Sequence, residues 1–448
     1  MLPDNLIMAN HFARTRWMLN FRDRRNLEAW QQARLHRFMR EVLPRAPYYR
    51  DIRINALADL PTMDKASMMA DFSARNTRSV RLDEAWEIGF KAETTRDFAP
   101  LLGDLTVGLS SGTSGNRGVF LVSPAERLRW AGILLGRALP QHLLRRLLSP
   151  WQPPLRIAFF LRANSNLYTT LNSRRIDFTF HDLLLGPEAA VPCLNQSQPD
   201  VLVGPPSLLC ALAAETRAGC LHIAPSHVIA VAEVLEDSDC EIIRAAFGLP
   251  IHQLYQATEG FLGYTCEHGT LHLNESFVHI EPDWLGSDHT HFQPIITDFT
   301  RDTQLIVRYR LNDVLRVMEQ PCPCGRAELA IAAIEGRADE VLWLPMRNTA
   351  KAVAIFPDLI RRAMLFAGPA VHEFDLTQDG MHITVGLLEA GNREDAIARI
   401  SAELDTLWKD LEVAPPTLTF TDWLAPAPGV KRRRVRRQSV PEGLTCTF

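Results

Sequence analysis

SSGTSGNRGV, residues 110–119, packs hydroxyls and glycines into one short loop directly after the run LTVGL. Glycines let the backbone fold tightly and aim its N–H groups at an anion. Ser and Thr hydroxyls add further donors, and Arg117 adds a fixed positive charge. This is the equipment of a loop that holds the phosphates of a nucleotide. The GxxxxGK[ST] spacing of kinases and GTPases is absent, so it is not a P-loop of that kind. Taken alone, the stretch also reads as a Ser/Gly-rich surface turn, and the remainder of the chain has to decide between the two.

Working outward, 448 residues with 46% hydrophobic and 22% charged side chains describe an ordinary globular protein of two or three domains. A formal charge of −4 gives no overall bias toward nucleic acid or membrane. Lysines stand only at 65, 91, 351, 409 and 431, so chemistry that needs a lysine has few candidates. The N-terminus MLPDNLIMANHFARTRWMLNF lacks the basic-then-apolar layout of a signal, and no apolar run reaches membrane-spanning length. The eight cysteines are scattered apart from Cys322 and Cys324, unlike a secreted disulfide framework. The expectation is a cytoplasmic protein with no membrane or nucleic-acid partner.

Residues 22–48 show helical periodicity, with Leu27, Trp30, Leu35, Phe38, Met39 and Leu43 near one stripe and Pro44 stopping the helix. From about residue 100, RIAFFL, DVLVG, HVIAVAE and PIHQLYQ read as buried strands. SLLCALAAETRAG and DCEIIRAAFG read as the helices between them, each ending in glycine. Such alternation predicts an α/β fold with parallel-rich sheets, and 295–317 reads as antiparallel about a turn at Thr300–Thr303. After GRADE (336–340) the pattern becomes α+β, with a helix near 357–367, strands near 371–376 and 381–388, and a helix near 393–412. The division expected is a large domain over 1–339, helical over about 1–95, and a small mobile domain over 340–448.

Four further segments fall in a telling order: YQATEG (255–260), YRLNDVLRV (309–317) with Asp313 at a strand end, GRADE, and PGVKRRRVRR (428–437). Together with the loop at 110–119, they resemble the adenylate-forming superfamily that includes acyl-CoA synthetases. The resemblance is closer to its phenylacetate–CoA ligase branch, alongside acyl-protein synthetases and deazaflavin-adenylylating synthetases, and covers nearly the whole chain from about residue 30. It implies that Ser110, Ser111, Gly112, Thr113, Ser114 and Gly115, with Arg117, grip the ATP phosphates. Tyr255 would stack on adenine, with Gln256, Ala257 and Thr258 beside it and Ala232–Glu233 lining the other face of the base. Glu259 would help to hold Mg²⁺, a hard cation suited to carboxylate and phosphate oxygens. Asp313 would accept both ribose hydroxyls, and Arg337 would contact ribose or phosphate near a hinge at Asp339. Lys431 would bridge the attacking carboxylate and the α-phosphate, two anions whose approach needs a cation. Other roles stay open for each: Tyr255 as core, Glu259 as a helix-start acid, Asp313 as a turn cap, Arg337 as a surface ion pair, and Lys431 as part of a basic tail.

PCPCGR (321–326) and CEHGTLH (266–272) supply two short clusters of nitrogen and sulfur ligands, a pattern that suits tetrahedral zinc. Relatives in the branch carry a matching pair, which implies a structural zinc on Cys266, His272, Cys322 and Cys324, with His268 as the other histidine and unmetallated core thiols as the other reading. The chain departs from the branch in two places. Arg117 stands where a lysine or a small residue is usual, and VLWLPMRNTAKAVAIFP (341–357) has no glycine where a glycine turn usually borders the thiol tunnel. The expected activity is ATP-dependent activation of a carboxylic acid, an aromatic one by resemblance to the branch, with transfer to the thiol of CoA or a carrier protein. Transfer of AMP to a hydroxyl acceptor such as a deazaflavin, and nucleotide binding without catalysis, are the other two readings. Segments 159–185 and 203–233 are expected to line the acyl pocket, with Tyr168 and His181 as its polar residues.

Overall fold

A computed structural model describes residues 3–110, 117–162, 166–349, 351–368, 370–427 and 431–444. Two compact units emerge. The first comprises Met1–Glu281, Ile295–Leu311 and Val317–Ala332; the second comprises Pro282–Pro294, Asn312–Arg316 and Ala333–Phe448. Asp339 lies inside the second.

Among the described residues, the strands that organise the first unit include β1 Thr106–Leu109, β2 Val119–Val122, β3 Leu155–Leu161, β4 Ile176–Asp182, β5 Val201–Gly204, β6 His227–Val231, β7 Ile251–Ala257, β8 Gly260–Thr265 and β9 Leu271–Leu273. The first two form an antiparallel hairpin. The others lie side by side within one larger sheet in the order β4-β3-β5-β6-β7-β8-β9, parallel from β4 to β7 and antiparallel beyond. The central parallel strands β3, β5 and β6 carry apolar residues on both faces, each face packed into a core. Ile157, Phe159, Val201, Val203, Ile229 and Val231 enter one core, while Ala158, Phe160, Leu202, Val228 and Ala230 enter the other. The helices expected from the sequence occupy Pro206–Arg217 and Asp237–Phe247.

Asp23 caps the helix Arg24–Glu41, its side chain accepting from the Asn26 amide. That helix buries Leu27, Leu35 and Phe38 as the periodicity requires, and also Gln31, which donates to the Glu275 carbonyl at 2.8 Å. It ends at Glu41, with Leu43–Arg45 continuing as a 3₁₀ turn around Pro44. The helix Pro124–Ala138 packs against the N-terminal helix Asp4–Ala13 through Gly132 and Gly136. A Cβ on Gly132 would stand 2.6 Å from the Met8 carbonyl oxygen, so the close crossing requires glycine there.

In the second unit, strands Thr417–Asp422, His382–Glu389, Val371–Asp379 and Val435–Ser439 form a sheet in that order. Helices Pro357–Phe366 and Arg393–Asp410 pack on it around Leu376, Ile383, Val385, Ile400, Leu404 and Trp408. Within 341–357, the strands Leu342–Pro345 and Ala352–Ile355 pair antiparallel, with Leu342 opposite Ile355. The end of the basic run, Val435–Ser439, is a strand parallel to Val371–Asp379, where the sequence also allowed a basic tail.

Candidate active site

The β1–β2 register pairs Leu109 with Val119 and leaves 110–118 as the connecting loop. Ser110 closes its base: the Ser110 amide donates to the Gly118 carbonyl at 2.8 Å, and the Gly118 amide donates to Ser110 Oγ at 2.7 Å. Ser111, Gly112, Thr113, Ser114 and Gly115 lie outside the described residues. Lys65, not singled out in the sequence, donates from Nζ to Ser110 Oγ at 3.3 Å. Arg117 pairs with Glu93, and Glu93 also accepts from Arg162 at 3.2 Å. The Arg117 charge is therefore committed to a carboxylate, while a different cation stands at the base of the loop. The scarcity of lysines was the one sequence signal that pointed toward Lys65.

Parallel strands place their carboxyl ends along one edge, where α/β sheets bind ligands. At the end of β6, Ala232 has φ 68° and the Glu233 amide donates to the Val231 carbonyl at 2.9 Å. This three-residue turn is a strained conformation for a residue with a Cβ, of the kind that concentrates at functional sites. Glu233 is held in place by the Ser207 amide, which donates to its Oε2 at 3.2 Å. The register of Val231 with Leu254 sets this turn beside Tyr255, which is 8% exposed. Gln256 and Ala257 complete β7. Thr258 and Glu259 then form the two-residue tip of the β7–β8 hairpin, with Ala257 opposite Gly260. Glu259 is thus a hairpin acid and not a helix-start acid, and its Oε2 accepts from Thr258 Oγ1 at 2.8 Å.

Arg301, in the turn after TDFT, braces this arrangement. Its guanidinium donates to the Thr258 carbonyl at 2.9 Å and to the Leu121 carbonyl at 2.8 Å. It thereby ties the hairpin tip to the strand that leaves the 110–118 loop. Burial works against the charge on Glu126, yet Arg301 and neighbouring backbone amides hold its carboxyl below the usual range. Glu126 in turn accepts from the amides of Asp302 and Thr303, fixing the turn that carries Arg301. A lone arginine in a turn had no periodicity or motif to mark it.

In the second unit, Asp313 begins the strand Asp313–Val317, where the sequence reading placed it at a strand end. The cause lies one residue earlier. The Asn312 carbonyl accepts from the Ala338 amide at 2.8 Å and the Asn312 side chain donates to Asp339 at 2.7 Å, which breaks the ladder between Arg310 and Asp313. Arg337 ends the strand Ala330–Arg337, with Nε 3.3 Å from Asp339. Lys431 is half-buried just before Val435–Ser439. The arginines that follow it are engaged within the unit: Arg433 with Asp339 and Glu340, Arg432 and Arg434 with Glu373.

The two residues expected in the acyl pocket do not share a wall. Tyr168 packs against Phe159, 4.8 Å between ring centroids, and Trp130, whereas His181 stacks on Phe160 at 4.5 Å. Successive residues of β3 point to opposite faces of the sheet, so these two side chains lie against opposite faces. Burial raises the Tyr168 hydroxyl and lowers the His181 imidazole, which favours the neutral form of each.

Cys266, His272, Cys322 and Cys324 are all buried, and their ligand atoms lie within 4.8 Å of one another. Cys266 Sγ is 3.7 Å from Cys322 Sγ, and Cys324 Sγ is 3.3 Å from His272 Nε2. Tetrahedral zinc with sulfur and nitrogen ligands has edges of about 3.4–3.8 Å, close to these two separations, and three thiols with one imidazole are the donor types that suit that ion. His272 Nδ1 is 3.0 Å from the Glu328 carbonyl. A carbonyl can only accept, so Nδ1 carries the proton and Nε2 keeps its lone pair for a metal. His268 offers its backbone amide to Cys266 Sγ at 3.4 Å, and its ring is not part of the group. Among the described residues no helix is long and apolar enough to cross a membrane.

No family model matches the chain, and no curated protein matches its sequence. Solved structures do match. A 2-hydroxyisobutyryl-CoA ligase in the postadenylation state, in complex with 2-HIB-AMP, aligns with a TM-score of 0.61 at 15% identity over 92% of this chain and 88% of that one. An open conformation of that ligase with 2-HIB-AMP and CoA gives 0.55 at 16% identity, over 91% and 90% of the two chains. At such identities the likeness is one of architecture, and the chain has the fold of the adenylate-forming CoA ligases over most of its length.

Proposed function

We propose that this protein activates a carboxylic acid with ATP and Mg²⁺ and passes the acyl group to a thiol, most simply that of CoA. A carboxylate oxygen attacks the α-phosphorus, the bond to the departing phosphate breaks, and acyl-AMP and pyrophosphate result. A thiolate then attacks the acyl carbonyl and AMP leaves. The reading is carried by one observation: the fold of the CoA ligases is joined, at the carboxyl edge of the parallel sheet, to the strained Ala232–Glu233 turn, Tyr255 and the Glu259 hairpin tip. The solved neighbours hold an acyl adenylate, and in one case CoA as well.

In this reading the loop at 110–118 receives the phosphates, with Lys65 supplying the cation that Arg117, engaged by Glu93, does not. Tyr255 and Ala232–Glu233 take the adenine. Glu259 would hold Mg²⁺, which neutralises phosphate charge when bound. Asp313 and Arg337 serve the ribose, and Lys431 neutralises the charge gathered as carboxylate and α-phosphate approach. Asp339 is the pivot about which the small domain, 340–448, changes orientation between the two half-reactions. Cys266, His272, Cys322 and Cys324 would hold a zinc with all four positions filled by protein, and such an ion would pin structure and take no part in the chemistry. Within the superfamily we favour the phenylacetate–CoA ligase branch and an aromatic acid.

The deciding experiment is carboxylate-dependent exchange of labelled pyrophosphate into ATP without CoA, across aromatic, fatty and amino acids. Exchange with a subset of acids is the expected outcome and identifies the substrate class. Silence with every acid, in protein that still binds ATP, overturns acyl activation; pyrophosphate release that requires a hydroxyl compound then establishes AMP transfer in its place.

A further inference from the structure

The run KRRRVRR (431–437) looks like a solvated basic tail, but its side chains alternate between two fixed sets of partners. Val435 pairs with Leu376, and the Leu376 amide donates to the Arg434 carbonyl at 2.7 Å, so the register of this segment is set. Arg432 and Arg434 point to Glu373 on one side. Arg433 and Arg437 point to the other, where the turn 337–341 lies. Arg433 Nη2 is 2.9 Å from Asp339 Oδ2, and its Nε is 2.6 Å from Glu340 Oε1. Arg437 donates to the carbonyls of Val341 and Ala338.

The two carboxylates are occupied on their far sides as well. Glu340 Oε2 accepts from the Arg337 amide at 2.9 Å, and Asp339 Oδ1 accepts from Asn312 at 2.7 Å. Gly336 makes this possible: its φ of 129° is open to glycine, and a Cβ there would stand 2.5 Å from Glu340 Oε2. One planar guanidinium thus bridges two consecutive carboxylates, and a lysine, as a point charge, cannot reproduce that geometry. Arg433 sits two residues from Lys431 and is 19% exposed.

We propose that Arg433 is a positioning residue that couples the lysine-bearing segment to the turn around Asp339, so that the placement of Lys431 depends on the state of that turn. The proposal rests on the reading of Lys431 as the adenylation lysine. Its test is a double-mutant cycle of Arg433→Gln and Lys431→Ala, read by pyrophosphate exchange, together with amide hydrogen exchange of both segments.

Arg433→Gln alone is expected to slow exchange about 10-fold or more in kcat, with the KM for ATP nearly constant and Arg433→Lys restoring only part of the rate. In the Lys431→Ala background, Arg433→Gln is expected to change the rate by less than about 2-fold, because residues that act as a unit are not additive. Amide exchange is expected to rise together at 336–341 and 431–439. Additive rate effects overturn the coupling and leave a merely structural role, and so does amide exchange that rises in only one segment. A Lys431→Ala variant as fast as the parent overturns both the lysine assignment and the coupling that rests on it. If the parent exchanges with no acid, the functional reading fails while the amide-exchange arm still decides whether the clamp exists. Should Arg433→Gln not fold, Glu340→Gln removes one arm of the clamp and carries the same cycle.

Discussion

Lys65 opens a six-residue helix, capped by Asp64, and its ammonium reaches Ser110 at the base of a loop far along the chain. In the proposed reaction a cation there would offset phosphate charge, which Arg117, paired with Glu93, is not free to do. Lys65→Ala is expected to lower kcat/KM for ATP by about 10–100-fold, the scale of a lost charge-assisted contact, with the melting temperature nearly unchanged. Unaltered kinetics would remove Lys65 from the site. A second residue makes a pH prediction. Glu335 is fully buried, with Arg316 donating to Oε1 at 2.6 Å. Burial, and then the nearby Asp358, push its carboxyl up to about 7, against the pull of Arg316 and Arg361. His291, 4.0 Å away, is itself held toward the neutral form by burial. A folded-state value above the ordinary carboxyl value of 4.5 means that the native protein holds the proton more tightly than the unfolded chain does. The contribution of Glu335 is therefore complete below about pH 4.5 and is lost as pH rises through about 7. The stability difference between parent and Glu335→Gln should fall over that window, by at most about 1.4 kcal/mol per pH unit. A difference that stays flat in denaturant titrations from pH 4.5 to 8 would refute it.

Elements here are held by contacts that admit little variation. The helices Asp4–Ala13 and Pro124–Ala138 meet where Gly132 leaves no room for a side chain. Gly132→Leu is expected to cost about 1–3 kcal/mol through overpacking, seen as a lower urea midpoint with the slope preserved. A midpoint within experimental scatter of the parent would show that the two helices separate freely. The hairpin of β8 and β9 and the turn Cys322–Gly325 meet at the four-ligand group. Protein purified without a His tag should contain about one equivalent of zinc. Chelation or Cys324→Ser should lower thermal stability and raise amide exchange in 266–272 and 320–326, with the exchange-active protein remaining active where it stays folded. Metal analysis that finds none would reduce the group to core thiols.

At the scale of the whole molecule, nucleotide binding should act as a stabiliser. ATP with Mg²⁺ at about 100 times its Kd is expected to add roughly 2.7 kcal/mol, a shift that thermal melts can follow, and Lys65→Ala should diminish it at fixed ATP. No shift in a melt at millimolar ATP would count against a nucleotide site of any kind. The sequence determined what local rules reach. Two-faced apolar runs made β3, β5 and β6 recognisable as buried strands, and the terminal glycines marked the helices that follow. Period and spacing likewise exposed the small α+β unit and the Cys/His clusters, because ligand spacing within a hairpin and a turn is itself a local property. Only the tertiary structure decided which distant groups meet. Asp313 opens a strand because Asn312 bonds across to the 338–339 turn, and Lys65 and Arg301 reach the β1–β2 hairpin from segments that no motif connects. Val435–Ser439 adds as a strand along residues 371–379, and the arginines just before it, Arg432, Arg433 and Arg434, fall against Glu373, Asp339 and Glu340. Each of these depends on charges and backbone groups far apart in sequence, and local propensity carries no information about such pairings.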